Sequence, residues 1–312
     1  MTRSPLVPEA VHLSGALNVL KPPGMTSHDV VDALRRLTGV RRIGHTGTLD
    51  PGASGVLVLC VGRATRIAEF LSDQPKGYRA EFTFGVETDS GDAYGAVVGG
   101  SDASGLTAGA LEEALTEFVG AIQQVPPMVS AVRRSGRRLY EHARRGEVVE
   151  VAPRQVTVFE CRLLEFVPGH HATALVQVEC SKGTYVRALA SDLGRRLGVG
   201  GHASFVLRTR VGRFTLDSSL TLEELSAVED LTRLLVPPDE ALNHLPVVDL
   251  TSLQRRQVLD GLAIPLFQIP GWAGLPADLP VRLRDERGLV AVGRVEAGRL
   301  IPFRVLRGSG GR

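Results

Sequence analysis

Residues 40–66 read VRRIGHTGTLDPGASGVLVLCVGRATR, a glycine-rich loop running straight into an unbroken apolar segment. Between Gly44 and Gly55 the loop holds four glycines, one proline and a single carboxylate, Asp50. Glycine lets a backbone take positive φ and approach a ligand closely. A carboxylate fixed on such a loop can serve as a nucleophile or a base. Asp-Pro-Gly is also a common turn in which the aspartate only bonds nearby amides. The loop is not a phosphate-binding P-loop, because GxxxxGK[ST] is absent. The run GVLVLCVG (55–62) reads as a buried strand and is far too short to cross a bilayer.

On the N-terminal side, GALNVLKPPGMTS (15–27) predicts a short strand, a Pro-Pro-Gly turn and a helix start. Thr26 and Asp29 form a capping-box pattern, Val30, Val31, Leu34 and Leu37 make one apolar stripe, and Gly39 stops the helix. On the C-terminal side, GYRAEFTFGVETD (77–89) alternates as a half-buried strand. A helix is predicted around Leu111, Leu115 and Phe118. VTVFECRLLEFV (156–167) and ATALVQVECS (172–181) predict an antiparallel pair, and KGTYVRALASDLGRRLGVG (182–200) a helix. Residues 123–151 are the most basic stretch, with six arginines and one acid between 133 and 145, and read as a loop or short helical excursion. Thr221 and Glu224 open a further helix, 236–246 looks like a linker, and 281–306 reads as three short strands. The division expected is a mobile 1–14, a larger α+β domain over 15–245, and a small β-rich domain over 246–312.

Composition narrows the function. Hydrophobic residues make up 43% of the 312, and charged residues 22%, which excludes global disorder. A net charge of +2 means that any nucleic-acid role rests on local clustering rather than on bulk charge. The cations are 33 Arg and three Lys, and the lysines (Lys21, Lys76, Lys182) each sit in a distinctive motif. A chain that uses Arg almost everywhere else can need an ammonium at those places. Cys60, Cys161 and Cys180 lack the spacing of metal ligands or of a redox pair. The adjacent His170 and His171 would point to opposite faces of a strand, which argues against a metal pair. The N-terminal stretch has no basic-then-apolar signal pattern, so a cytoplasmic protein is expected.

The loop GHTGTLDPGASGVLVLCVGRATR resembles the catalytic motif of the TruB family, the bacterial tRNA pseudouridine-55 synthases. NVLKPPGMTSHDVV (18–31), KGYRAEFTFGVETDSGDAYG (76–95), PPMVSAVRRSGRRLYEHARRG (126–146), CSKGTYVRALASDLG (180–194) and GGHASFVLRTRVGRF (200–214) resemble further family motifs, in family order. The resemblance implies a pseudouridine-synthase catalytic domain of the α+β class, with a mixed, mainly antiparallel sheet flanked by helices. The tail resembles a PUA module by strand pattern, length and order.

The resemblance also assigns roles by position. Asp50 matches the catalytic aspartate, Tyr78 the tyrosine that stacks on the flipped uracil, and Arg187 the arginine that pairs with the aspartate. His45 matches a histidine that contacts RNA where the base has left. Tyr185 and Leu207 match positions lining the uracil pocket, and Lys21 with Pro22 an N-terminal element near the site. Arg133, Arg137, Arg138, Arg144, Arg145 and Lys182 are the expected RNA-backbone contacts. The family usually has Tyr and Lys where this chain has Val129 and Arg133, so those two particular contacts do not carry over, while the general basic role of the stretch does.

The implied activity is the isomerisation of uridine 55 to pseudouridine in the TΨC loop of tRNA, by base flipping and attack of Asp50. Whether attack falls on the ring carbon or the sugar carbon is left open. An isomerisation needs no redox cofactor, no HExxH-type metal motif is present, and neither cofactor nor metal is expected. The expected partner is the tRNA T stem-loop, with no membrane, no obligate protein partner and a monomeric state. The competing reading is an RNA-folding helper whose catalysis is dispensable.

Overall fold

In the computed structural model, residues 13–306 are described, apart from 129, 131, 135, 144, 146, 148 and 278. The apolar run after the glycine-rich loop is the second strand from one edge of the main sheet. The chain builds β1 (Gly15–Lys21), α1 (Ser27–Thr38), β2 (Ile43–His45), β3 (Ser54–Val61), α2 (Ala68–Ser72) and β4 (Lys76–Phe84). A short pair, β5 (Glu87–Thr88) and β6 (Val97–Gly99), precedes α3 (Ala108–Thr116) and β7 (Gly120–Gln124). The basic stretch forms β8 (Arg133–Arg134), β9 (Arg137–Arg138) and α4 (Leu139–Ala143). Then come β10 (Arg154–Val167), β11 (Thr173–Cys180), α5 (Val186–Arg196), β12 (Gly201–Val211), β13 (Phe214–Thr215), α6 (Leu222–Ala227) and α7 (Pro238–Ala241). The C-terminal part holds β14 (Val247–Asp249), α8 (Ser252–Leu259), β15 (Ile264–Pro265), β16 (Val281–Asp285), β17 (Gly288–Glu296) and β18 (Arg299–Val305).

The main sheet runs β1-β3-β12-β4-β11-β10-β7, with β2 paired to β3 and β13 to β12. All its strand pairings are antiparallel except β3 with β12. This is the mixed, mainly antiparallel sheet of the α+β expectation. β3 is buried along its whole length because both of its faces are covered. Leu57, Leu59 and Val61 pack with Val30, Val31 and Leu34 of α1. Val56, Val58 and Cys60 pack with Phe70, Leu71, Val292 and Leu306. A strand covered on two faces has no reason to alternate, which accounts for the unbroken apolar run. Phe82, Phe84, Val176 and Val178 instead meet Leu189 and Leu193 of α5 and Leu111 and Leu115 of α3.

The C-terminal sheet runs β14-β16-β17-β18-β15. It rests on the main body through an edge-on contact of Phe70 with Phe303, 5.9 Å between centroids, and through a 2.7 Å bond from Arg66 Nη1 to the Val305 carbonyl. The stretch read as a linker is partly helical, with Ala241 and Leu242 buried, so apolar anchoring overrides its Pro-rich composition. Of the segment expected to be mobile, 1–12 lie outside the described residues, and Leu13 is buried. The helix predicted at Thr26 has its capping box and its left-handed Gly39 C-cap.

Candidate active site

The Asp50 loop is tied down from three sides by buried donors. Lys21, at the end of β1, is fully buried, and its Nζ donates to the carbonyls of Ala53 (2.7 Å), Pro22 (2.9 Å) and Pro51 (3.2 Å). Ser27, at the start of α1, accepts from Leu49 N (2.8 Å) and donates to Leu49 O (3.1 Å). Arg208, on β12, donates from Nε to Val56 O (2.7 Å), from Nη2 to Gly47 O (3.1 Å) and from Nη1 to Thr48 O (3.3 Å). The parallel contact of β3 with β12 makes this reach possible, and it sets Gly55 directly against Arg208. Gly55 has φ +111°, and a Cβ there would lie 2.1 Å from the Arg208 carbonyl oxygen, so glycine is required.

Asp50 points from this loop toward α5. Its Oδ2 lies 2.9 Å from Nε of Arg187, a side chain only 4% exposed in the first turn of α5. Nη1 of Arg187 reaches Oδ2 of Asp92 and the Ser90 carbonyl, both at 2.9 Å. Asp92 is held in turn, its Oδ1 accepting from Ser90 Oγ (2.7 Å) and Tyr94 N (3.0 Å). The Asp50 side chain keeps 41% of its surface open. Burial of the carboxylate raises its pKa above the ordinary aspartate value, with Arg187 opposing and Asp92 adding to the shift.

Two cavities share Asp50, Ala53, Arg187 and Val206 as a common wall. The first, about 250 Å³, is lined on the other sides by Lys76, Tyr78, Ser130, Lys182, Tyr185 and Arg208. The second, about 560 Å³, is flanked by the aromatic rings of Tyr94 and Phe205. Tyr94 is 78% exposed and lies so close over Gly52 that a Cβ there would meet its ring at 2.1 Å. Tyr78 is buried, and burial pushes its hydroxyl up to about 12, so it is a neutral phenol at neutral pH.

The structure thus brings Asp50, Tyr78, Arg187 and Tyr185 to one cavity. It places Lys21 and Leu207 elsewhere. Lys21 lies behind the loop, bonded to carbonyls, and lines neither cavity. Leu207 is also outside the lining, because its strand neighbours Val206 and Arg208 face the first cavity. His45 sits at the end of β2, beside the loop and outside both linings. Among the described residues its buried Nδ1 has no partner, and burial lowers its pKa below the ordinary histidine value. Lys182 lines the first cavity and pairs with Asp73 at 2.6 Å.

Of the expected RNA-backbone arginines, Arg137 and Arg145 are exposed. Arg133 and Arg138 lie on a short strand pair, their side chains outside the described set, and Arg144 lies outside the described residues altogether. Sequence reasoning assigned no role to Asp92, Arg208 or Lys76. All three lie within the stretches that carry the family resemblance, but nothing in their spacing marks them as facing the site.

A family model for the TruB family pseudouridylate synthase N-terminal domain matches residues 35–186. One for the tRNA pseudouridylate synthase B C-terminal domain matches 187–243. A tRNA pseudouridine synthase B from Symbiobacterium thermophilum is 56% identical over 254 residues, 81% of this chain and 84% of the relative. One from Pelotomaculum thermopropionicum is 48% identical over 299 residues, 92% of each chain. Among solved structures, a Cbf5-Nop10-Gar1 complex contains a chain that superposes with a TM-score of 0.72 at 27% identity, covering 94% of this chain and 85% of that one.

Proposed function

We propose, from the premise that the chain belongs to the TruB family of pseudouridylate synthases and is an isomerase that makes pseudouridine in tRNA, that its target is uridine 55 of the TΨC loop and its nucleophile Asp50. The observation that carries this reading is the 2.9 Å ion pair of Asp50 with a buried Arg187, on the wall of a cavity that also holds Tyr78.

The reaction breaks the N1–C1′ bond of uridine, turns the base, and joins C5 to C1′. The C5 proton leaves and N1 gains one, so atoms and electrons balance without an oxidant. The base is normally stacked and must be extruded, at a cost of a few kcal/mol. Stacking on the Tyr78 ring returns about 1–3 kcal/mol. Asp50 attacks as its anion and needs no partner base. Arg187 holds that anion in place, and Asp92 fixes the other end of the guanidinium. Tyr185 borders the base, and His45, beside the loop, meets the RNA where the base has left.

The exposed Arg137 and Arg145, with the other arginines of that stretch and Lys182, contact phosphates of the T stem-loop, where clustered cations gain from counterion release. The division into a catalytic domain over 15–245 and a PUA-like RNA-binding module over 246–312 fits the two separate sheets. A monomer working in the cytoplasm completes the reading.

The test is tritium release from tRNA transcripts carrying 5-tritiated uridine. One equivalent is expected from the wild type, none from Asp50→Ala, and none when uridine 55 is replaced. Full release from the transcript lacking uridine 55 would refute the target, and release by Asp50→Ala would refute the nucleophile.

A further inference from the structure

The first cavity carries more positive charge than its carboxylates answer. Of its lining cations, Arg187 is paired with Asp50 and Asp92, and Lys182 with Asp73. Arg208 and Lys76 are 1% and 6% exposed, and among the described residues neither forms an ion pair. Lys76 Nζ donates to the carbonyls of Ser72 and Gln74, both at 2.8 Å. An ammonium has three donors and a guanidinium five, so each keeps a donor beyond its carbonyl bonds. Burying such a charge without a counter-charge costs several kcal/mol. A cation kept at that cost in a reaction cavity points to a use.

Their position indicates the use. Asp50 lines the first cavity from its loop, paired with Arg187, whereas Lys76 and Arg208 line it from β4 and β12 and come together at Gly47, where a Cβ would lie 3.6 Å from Lys76 Cε and 3.7 Å from Arg208 Nη1. Tyr78 lines the same cavity from β4, directly opposite Arg208 of β12 and two residues after Lys76 on its own strand. A uracil stacked on Tyr78 with its sugar toward Asp50 thus has a ring carbonyl within the wall that Lys76 and Arg208 line. Attack at C6 drives the C5–C6 electron pair toward C4 and onto O4. Cleavage of N1–C1′ leaves the pair on N1, conjugated with O2 and O4. Either route puts negative charge on the ring carbonyls until C5 bonds to C1′.

We propose that Lys76 and Arg208 form a cationic wall that stabilises this charge on the uracil ring, and so are further catalytic residues of the isomerisation. This rests on the function proposed above. Preorganised cations aimed at developing charge in a water-poor site contribute without reorganising during the reaction. Burial and the neighbouring Arg208 lower the Lys76 pKa to about 8, so the ammonium form still predominates at pH 7.

Lys76 is the cleaner position to test, because its bonds run to Ser72 and Gln74 and not to the Asp50 loop. The experiment compares wild type, Lys76→Met and Lys76→Arg under single-turnover conditions at pH 7. The tRNAs carry uridine or 5-fluorouridine at the target position, and consumption of that nucleotide is read after nuclease digestion. Fluorine withdraws electrons and stabilises the ring anion, so a fluorinated base depends less on the wall. Lys76→Met is expected to lose 10- to 100-fold on uridine with tRNA affinity within twofold of wild type. Its deficit on 5-fluorouridine is expected to be at least fivefold smaller, and Lys76→Arg to recover most of the rate. Equal deficits on the two substrates, or a Lys76→Met rate within threefold of wild type, would overturn the proposal. If Lys76→Met does not fold, the same two-substrate comparison on Arg208→Lys decides it. A wild type that consumes uridine in no tRNA removes the functional reading itself, whereas an active wild type with equal deficits removes only the wall.

Discussion

Replacing Asp92 by Asn removes one charge from the chain Asp50–Arg187–Asp92 and almost nothing else. The amide oxygen can still accept from Ser90 Oγ and Tyr94 N, which now meet Oδ1 at 2.7 and 3.0 Å. What disappears is the charge 2.9 Å from Arg187 Nη1, between side chains 4% and 19% exposed. At an effective dielectric of about 20, that attraction is about 6 kcal/mol gross. Relief of carboxylate desolvation and the retained Ser90 carbonyl bond offset most of it. A net loss of about 1.4–2.7 kcal/mol in transition-state stabilisation is expected, a 10- to 100-fold slower single-turnover rate. The affinity for tRNA should stay within twofold, since the ion pair of Asp92 is with Arg187 and not with the arginines proposed to bind phosphate. A second consequence has the opposite sense. The Asp92 charge helps to hold the Asp50 pKa up, and only anionic Asp50 attacks. Removing that charge lowers the Asp50 pKa, so the acid limb of the pH–rate profile should move to lower pH while the plateau falls. Tritium release measured across pH 4–8 for wild type and Asp92→Asn reads both effects. An acid limb that moves upward, or a rate and an affinity that fall together, would show that Asp92 acts on folding or RNA docking instead.

Asp50→Asn should abolish isomerisation, leave tRNA binding intact and raise the thermal midpoint slightly. With the carboxyl pKa raised on folding, the anion opposes folding above the unfolded-state pKa; the half-open, screened site limits the gain to below about 1 kcal/mol. An unchanged or lower midpoint in differential scanning fluorimetry at pH 7 would contradict this. Gly55→Ala should lower the midpoint by several degrees, since its Cβ would sit 2.1 Å from a backbone oxygen at φ +111°. A midpoint within one degree would mean that the close approach of β3 to β12 relaxes freely. Changing Arg137, Arg138, Arg144 and Arg145 together to Ala should flatten the salt dependence of tRNA binding, by about 0.7–0.9 in log–log slope for each phosphate no longer neutralised. An unchanged slope in filter binding from 50 to 300 mM salt would put the RNA elsewhere.

The sequence exposed the parts of this molecule whose signal is local. The Thr26–Asp29 capping box, the Gly39 stop and the alternation of Ala80, Phe82 and Phe84 depend on neighbours a few residues apart, and each appears where expected. The spacing of the glycine-rich loop left Asp50 open between a reactive carboxylate and a turn residue, and the family resemblance singled it out. What stayed hidden depends on pairing across long separations. Arg208 meets Gly47, Thr48 and Val56 only because β12 runs parallel to β3, a register that no local pattern encodes. Asp92 meets Arg187 across 95 residues, from a turn-rich acidic stretch whose other carboxylates do not enter the ion-pair chain. Leu207 lies outside both cavity linings for a related reason: facing on a strand changes with each residue, and motif order cannot fix it.

The scarcity of lysine carried more information than the abundance of arginine. Two of the three lysines, Lys21 and Lys76, are buried and bonded to backbone carbonyls, and burial lowers both to about 8. The third, Lys182, is exposed and pairs with Asp73. A carbonyl cluster suits a compact ammonium, whose three donors radiate from one atom, whereas a guanidinium spreads five donors across a plane. Arg208 marks the contrast, since its flat fork spans Gly47 and Thr48 of the loop and Val56 of β3. Lysine therefore persists in this arginine-rich chain where carbonyls converge on a point, and two such points, with the fork of Arg208, fix the loop and the cavity from which Asp50 acts.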